Sequence, residues 1–325
     1  MKMKLQVVLP MFSFLMLAPL HAQEDTKDFP VLRDPYLGQS PPGRIAEPFA
    51  FDLFDFWYRS FHSNVVFSPD GKEAYWQTGL DDGSRLQAVF ESRYENGVWT
   101  RPRAAFFSSL TMFGVEDAPF ISPDGNRFFF LSCRPIDEDE GGECGKENIW
   151  MMDRTEEGWS EPQLLPSVVN SLEGIHWQLS VDREGNLYFG TWQSYGEDVY
   201  TGEIYVSEYE NGEYAQPEKL GPEINVPGLY TRAPFVAPDG SYLLFNRNDE
   251  ARPARLFISF HRRDGEWTTP KDLSDILGRH GRNPIVTIDG KFLFFMDDAS
   301  GKIQPYWMDA GFIGELRESE LGSQE

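Results

Sequence analysis

The sequence predicts an all-β fold, a five-bladed β-propeller of four-stranded antiparallel blades, on three observations. A hairpin motif occurs five times, a second turn motif ending in proline alternates with it, and the strand missing from the last repeat is available near the N-terminus.

The hairpin motif reads VVFSPDGKEAYW at 65–76. It returns as PFISPDGNRFFFLS (119–132), WQLSVDREGNLYFGTW (177–192), PFVAPDGSYLLFNR (234–247) and PIVTIDGKFLFFMD (284–297). Its glycines, Gly71, Gly125, Gly185, Gly240 and Gly290, lie 54, 60, 55 and 50 residues apart, a spacing suited to propeller blades with moderate loops. Proline presets φ and glycine accepts a positive φ, so Pro-Asp-Gly between two apolar runs reads as a tight hairpin.

The second motif is NGVWTRP (96–102), EGWSEP (157–162), NGEYAQP (211–217) and DGEWTTP (264–270). Each copy follows an alternating strand, at 87–94, 148–154, 203–209 and 255–261. Every repeat therefore holds four strands. Pro102, Pro162, Pro217 and Pro270 assign the fourth to the outer edge, because proline cannot donate to a ladder on both sides. The fifth repeat has its third strand at 302–310 and no fourth motif after it. GRIAEP (43–48) carries a matching Gly-to-Pro spacing, so 43–50 is expected to complete the last blade and close the ring, which removes exposed sheet edges.

Residues 1–22 combine Lys2 and Lys4, an apolar run of Val7–Leu20 interrupted by Pro10 and Pro19, and Ala22 before a polar stretch. That pattern is a secretory signal peptide, and the run is too short for a membrane span, which needs about 20 apolar residues. The expected organisation is a signal peptide at 1–22, an extended lead at 23–42, the propeller at 43–310 and a C-terminal tail at 311–325, in the periplasm or the medium. Loss of Lys2 and Lys4 takes the formal net charge from −23 to −25. Nucleic acid and anionic lipid need a basic surface and are disfavoured as partners.

The five SPDG-type hairpins with their W-x-x-P strands resemble the TolB-like, WD40-like propeller repeats of bacterial exported proteins, over 43–310. The Ser-Pro-Asp-Gly core is intact at 68–71 and 122–125. The later copies read Val-Asp-Arg-Glu-Gly (181–185), Ala-Pro-Asp-Gly (237–240) and Thr-Ile-Asp-Gly (287–290). The resemblance implies a binding or scaffolding module with a protein, small-molecule or glycan partner and no cofactor.

If the first strands run outward from one face, the tight turns share the opposite face and the long connections share the first. Long loops on a rigid frame carry function. Alignment on the turns places a ring of residues at the start of each innermost strand: His62, Ser63 and Asn64; Glu116 and Asp117; His176 and Trp177; Tyr230, Thr231 and Arg232; Arg282 and Asn283. Arg232 and Arg282 are expected to hold an anionic or zwitterionic group as planar donors, with His176 tuning the site and Glu116 taking any cationic end. The competing reading is that these charges pair among themselves around a hydrated channel. Trp57, Tyr58, Trp192, Tyr195 and Tyr230 also fall on that face, as platforms for a sugar or peptide or as packing between blades.

Cys133 and Cys144, the only cysteines, are expected to form a local disulfide worth on the order of 2–3 kcal/mol. The acids between them, Asp137 to Glu143, lack the spaced ligand pattern of a calcium loop and read as a solvated charge run. Neither a Gly-x-Ser-x-Gly elbow, a His-Glu-x-x-His metal motif nor a phosphate-cradling glycine loop occurs. The alternative to a binder is a glycan-acting hydrolase or lyase with carboxylates at the channel mouth. Glu116 and Asp117 would then need a partner across the channel, such as Asp198 or Asp249.

Overall fold

A computed structural model of the chain describes residues 29–50, 53, 63–79, 87–108, 115–136, 146–194, 200–248, 254–297 and 303–322. Each hairpin motif opens an antiparallel unit. In the first, Val66–Phe67, Glu73–Gly79 and Gln87–Glu95 pair in order, with Val98–Trp99 and Arg103–Ala104 along the outer edge. Glu116–Ile121, Arg127–Ser132 and Asn148–Thr155 repeat this order, edged by Gly158–Trp159 and Gln163–Leu164. The third and fourth units start with Ile175–Val181 and Tyr230–Val236, and they share one sheet through a single parallel pair, Gly202 with Tyr230.

The last unit runs Arg282–Val286, Phe292–Asp297 and Gln304–Asp309, and its fourth position is taken by Glu47–Pro48, registered against Trp307 and Tyr306. Phe49 N donates to Pro305 O at 2.9 Å and Asp309 N donates to Gly43 O at 2.8 Å. The first strands contact one another in chain order, and Asn64 Nδ2 of the first repeat donates to Asn283 O of the last at 2.7 Å. The architecture is a β-propeller.

Local chemistry explains the regularity. Ser68, Ser122 and Thr287 each donate to the aspartate two residues on, at 2.6, 2.6 and 2.7 Å, and that aspartate accepts the backbone N–H beyond the turn glycine. The fourth strand, expected as one piece, is split into two-residue segments where the sequence approaches its proline. Side chains fill the break: Arg93 N donates to Thr100 Oγ1 and Ser92 Oγ to Thr100 O, while Ser259 Oγ and Phe260 N bond Thr268 in the same manner.

A second tie recurs between repeats. Asn170 Oδ1 accepts from Ile149 N and its Nδ2 donates to Ile149 O and Leu165 O; Asn225 does the same to Ile204 and Leu220. Between units the edge aromatics pack sideways. Trp159 Nε1 donates to Tyr75 OH at 2.9 Å, and Arg154 stacks 3.6 Å over Trp159 while bonding both carboxylate oxygens of Glu73.

The lead before residue 43 makes a left-handed turn, with φ of 71° at Asp34, 54° at Tyr36 and 55° at Leu37. That turn seats Leu37 in the core and Tyr36 between the first and last units, 5.2 Å from the rings of both Phe67 and Phe292. The segment expected as a C-terminal tail carries a helix, Phe312–Leu321, with Phe312 and Ile313 buried.

Candidate functional site

Three of the innermost strands share a feature that positions their ring residues. Ala118, Ala233 and Asn283 have φ of 51°, 53° and 50°, and the register of each strand slips there, between Asp117 and Phe120, Arg232 and Phe235, and Arg282 and Ile285. These are β-bulges, which bend a strand and re-aim its side chains. Asp117, Arg232 and Arg282 each precede a bulged residue that is itself followed by proline.

Glu116 is 1% exposed. The Arg134 guanidinium bonds its Oε1 and also donates to Phe107 O at 2.8 Å, stacked between Phe130 and Trp150. Burial pushes the Glu116 carboxyl above the ordinary carboxylate range, against the opposing pull of Arg134 and the hydroxyls of Ser108 and Ser132. Asp117 is equally buried and accepts from Ala118 N at 2.6 Å. Arg232, 7% exposed, lies 4.3 Å over the Tyr230 ring and donates to Asn248 Oδ1 at 3.1 Å. Arg282 is half-buried opposite Met296. Asn283 is buried, and its N–H donates to Asn246 Oδ1 at 2.7 Å. His176 and Trp177 lie on Ile175–Val181, with their side chains outside the description.

Side chains of the innermost strands reach between repeats that are not neighbours in the chain. Gln178 Nε2 of the third repeat donates to Pro284 O of the fifth at 2.7 Å, and the rings of Phe120 and Phe235, from the second and fourth repeats, are 6.5 Å apart.

Of the residues singled out from the sequence, His62, Trp57, Tyr58, Tyr195, Asp198, Asp249, Cys144 and the acids Asp137 to Glu143 lie outside the described residues. Cys133 is 9% exposed at the end of Arg127–Ser132. Trp192 is 38% exposed, whereas Tyr230 is buried under Arg232. Among the described residues no group of three His, Cys, Asp or Glu could hold a metal ion, and no helix is long and apolar enough to cross a membrane.

Sequence reasoning missed a set of arginines that organise this end of the repeats. Arg134 holds Glu116. Arg279 donates to Asp297 at 2.8 Å and stacks 3.9 Å over Tyr306. Arg247 donates to Glu223 O and Ile224 O at 2.8 and 2.7 Å while lying over Phe245 and Phe257. They occupy different registers relative to the turn, so alignment on the glycines does not bring them into one column.

The chain matches no family model and no curated protein. Among solved structures it is similar to TolB from Acinetobacter baumannii, at 15% identity and a TM-score of 0.47 over 78% of this chain and 52% of that one. It is also similar to the α-L-arabinofuranosidase PaAbf62A from Podospora anserina, at 12% identity and a TM-score of 0.48 over 76% and 89% of the two chains. A third is the periplasmic gluconolactonase PpgL from Pseudomonas aeruginosa, at 15% identity and a TM-score of 0.39 over 75% and 70%. The chain spans about half the length of the Acinetobacter TolB. These likenesses concern the fold and leave the activity to be argued from the residues of this chain.

Proposed function

We propose that this chain is an exported, non-enzymatic binding or scaffolding protein, a five-bladed ring closed by the 43–50 segment, that engages its ligand or partner on the face carrying the long connections. Export rests on the secretory pattern of residues 1–22, and a Cys133–Cys144 disulfide would suit that compartment. Arg232, Arg282 and Asn283, with Glu116, Asp117, His176 and Trp177 around them, form the site for an anionic or zwitterionic group.

The observation that carries the non-enzymatic reading is how two of the buried carboxylates, Glu116 and Asp297, are held. Glu116 is bound by Arg134 and Asp297 by Arg279, each within its own repeat. Glycoside hydrolysis needs two carboxyl groups facing one another across the bond to be broken, one of them free to take or give a proton. A carboxylate committed to a guanidinium serves as a strut. The feature favouring the alternative is the raised pKa of Glu116, which a general acid would use.

The test is a panel of carboxylated sugars, amino acids and plain glycans, read by thermal shift and by release of reducing ends. Binding without turnover is expected, and Arg232→Ala with Arg282→Ala should abolish the thermal shift while the circular dichroism spectrum persists. Glycan turnover that disappears in Glu116→Gln would overturn the reading in favour of the hydrolase.

A further inference from the structure

The turn face of the ring holds a cavity of about 540 Å³ between the first and last repeats. Its interior is lined by Val66, Phe120, Ile121, Phe235, Ile285 and Val286, and the lead contributes Pro35, Tyr36 and Pro41 to one side. Phe120 and Phe235, whose rings are 6.5 Å apart, bring the second and fourth repeats into its lining. It is a separate site from the ring residues proposed above.

Its size falls within the range of small-molecule pockets. Apolar walls around such a void lose the contacts a filled interior would supply and hold water poorly, which favours entry of an apolar group.

The mouth carries cations that the other turns lack at the equivalent position. The residue after the turn glycine is Lys72 in the first repeat and Lys291 in the fifth, the two repeats that flank the cavity, whereas the other three carry Asn126, Asn186 and Ser241. Both lysines line the opening. The aspartates beside them also line the opening and keep their charge while serving the turns: Asp70 accepts from Ser68 Oγ and Lys72 N, and Asp289 from Thr287 Oγ1 and Lys291 N. Asp289 also lies 2.7 Å from Lys291 Nζ, which leaves Lys72 as the stronger anchor. A lysine directly after the turn glycine is thus found only at the two turns that flank this apolar well.

We propose that this cavity binds a small amphipathic monoanion, an aryl or alkyl carboxylate, with the apolar group seated against Phe120 and Phe235 and the carboxylate at Lys72 and Lys291. Burial of the apolar group supplies the affinity and the ammonium groups supply the polarity of the pose.

The experiment is isothermal titration of the mature chain with 4-phenylbutyrate and with its neutral analogue 4-phenylbutanol. Saturable binding of the acid is expected, roughly tenfold tighter than the alcohol, as one lost charge-assisted contact predicts. Lys72→Glu with Lys291→Glu should weaken the acid at least tenfold and leave the alcohol unchanged. Val286→Trp should block both ligands, and the surface double substitution keeps the test decisive if that variant fails to fold. Arg232→Ala with Arg282→Ala should leave this binding intact, which separates the proposal from the site on the opposite face. Absence of acid binding to the unsubstituted chain at millimolar concentration, equal affinity for acid and alcohol, or indifference to the lysine substitutions would overturn it.

Discussion

Glu116 shows how burial, partner and position decide the behaviour of one side chain. Its pKa is raised because desolvation outweighs the favourable charge of Arg134 and the nearby hydroxyls. A carboxyl whose folded-state pKa exceeds its unfolded value binds its proton more tightly in the folded state. Its contribution to stability is fully present below the unfolded pKa and is lost as pH rises through the folded one. Stability of the unsubstituted chain is therefore expected to fall relative to Glu116→Gln as pH climbs from about 4 toward neutrality. Urea unfolding of both chains at several pH values measures this. A difference that stays constant with pH would show that Arg134 fully offsets the burial. The sequence places Glu116 at the start of an innermost strand, and the structure agrees. What it could not disclose is Arg134, eighteen residues on, because the register that brings the two together depends on a hairpin and on a bulge at Ala118.

At the scale of the element, the hairpin turns carry their own acid sensitivity. Burial pushes the Asp124 carboxyl up, but hydrogen bonds from Ser122 and from the backbone and side chain of Asn126 outweigh it and hold it below the ordinary carboxylate range. Asp70, Asp239 and Asp289 are lowered by the same balance. In the third repeat the turn departs from Pro-Asp-Gly, and Asp182 is instead raised by burial. A carboxyl lowered on folding stabilises above its unfolded pKa, and that contribution is lost as pH falls through the folded pKa. Acidification below about pH 4 should therefore loosen the first, second, fourth and fifth hairpins before the third. Protection of the Asn126 and Lys291 amides, which the aspartates accept, should fall with acid relative to the intrinsic exchange rate, and Ser122→Ala should move the Asn126 transition to higher pH. Equal loss of protection in all five turns would contradict this account. The turns were legible in the sequence because each needs one glycine with positive φ and one short acceptor at fixed spacing. The Asn170 and Asn225 ties and Arg247 escaped because their partners are backbone groups, and Arg134 and Arg279 because they reach carboxylates eighteen residues away at different offsets from the turn, none of which leaves a periodic mark.

At the scale of the molecule, the junction between the first and last repeats is built from a segment just upstream of the first and at the opposite end of the sequence from the last. Phe49 is fully buried, with ring centroids 5.0 Å from both Phe294 and Trp307 and 6.1 Å from Phe67. Trp99 of the first repeat donates from Nε1 to Asp34 O at 2.9 Å, so the lead takes the place that Tyr75 takes for Trp159 one repeat later. The same lateral packing is thus made at this junction with the N-terminal chain as intermediary. Truncating a buried phenylalanine costs about 3–5 kcal/mol, here on the order of 10 °C in melting temperature. If the 43–50 segment closes the ring, Phe49→Ala should lower one cooperative transition of the whole domain. Exchange protection should fall on both sides of the junction, in Gln304–Asp309 and in Val66–Phe67. If the segment is only a strap on the last repeat, protection should fall in Gln304–Asp309 alone and the main transition should stay where it was.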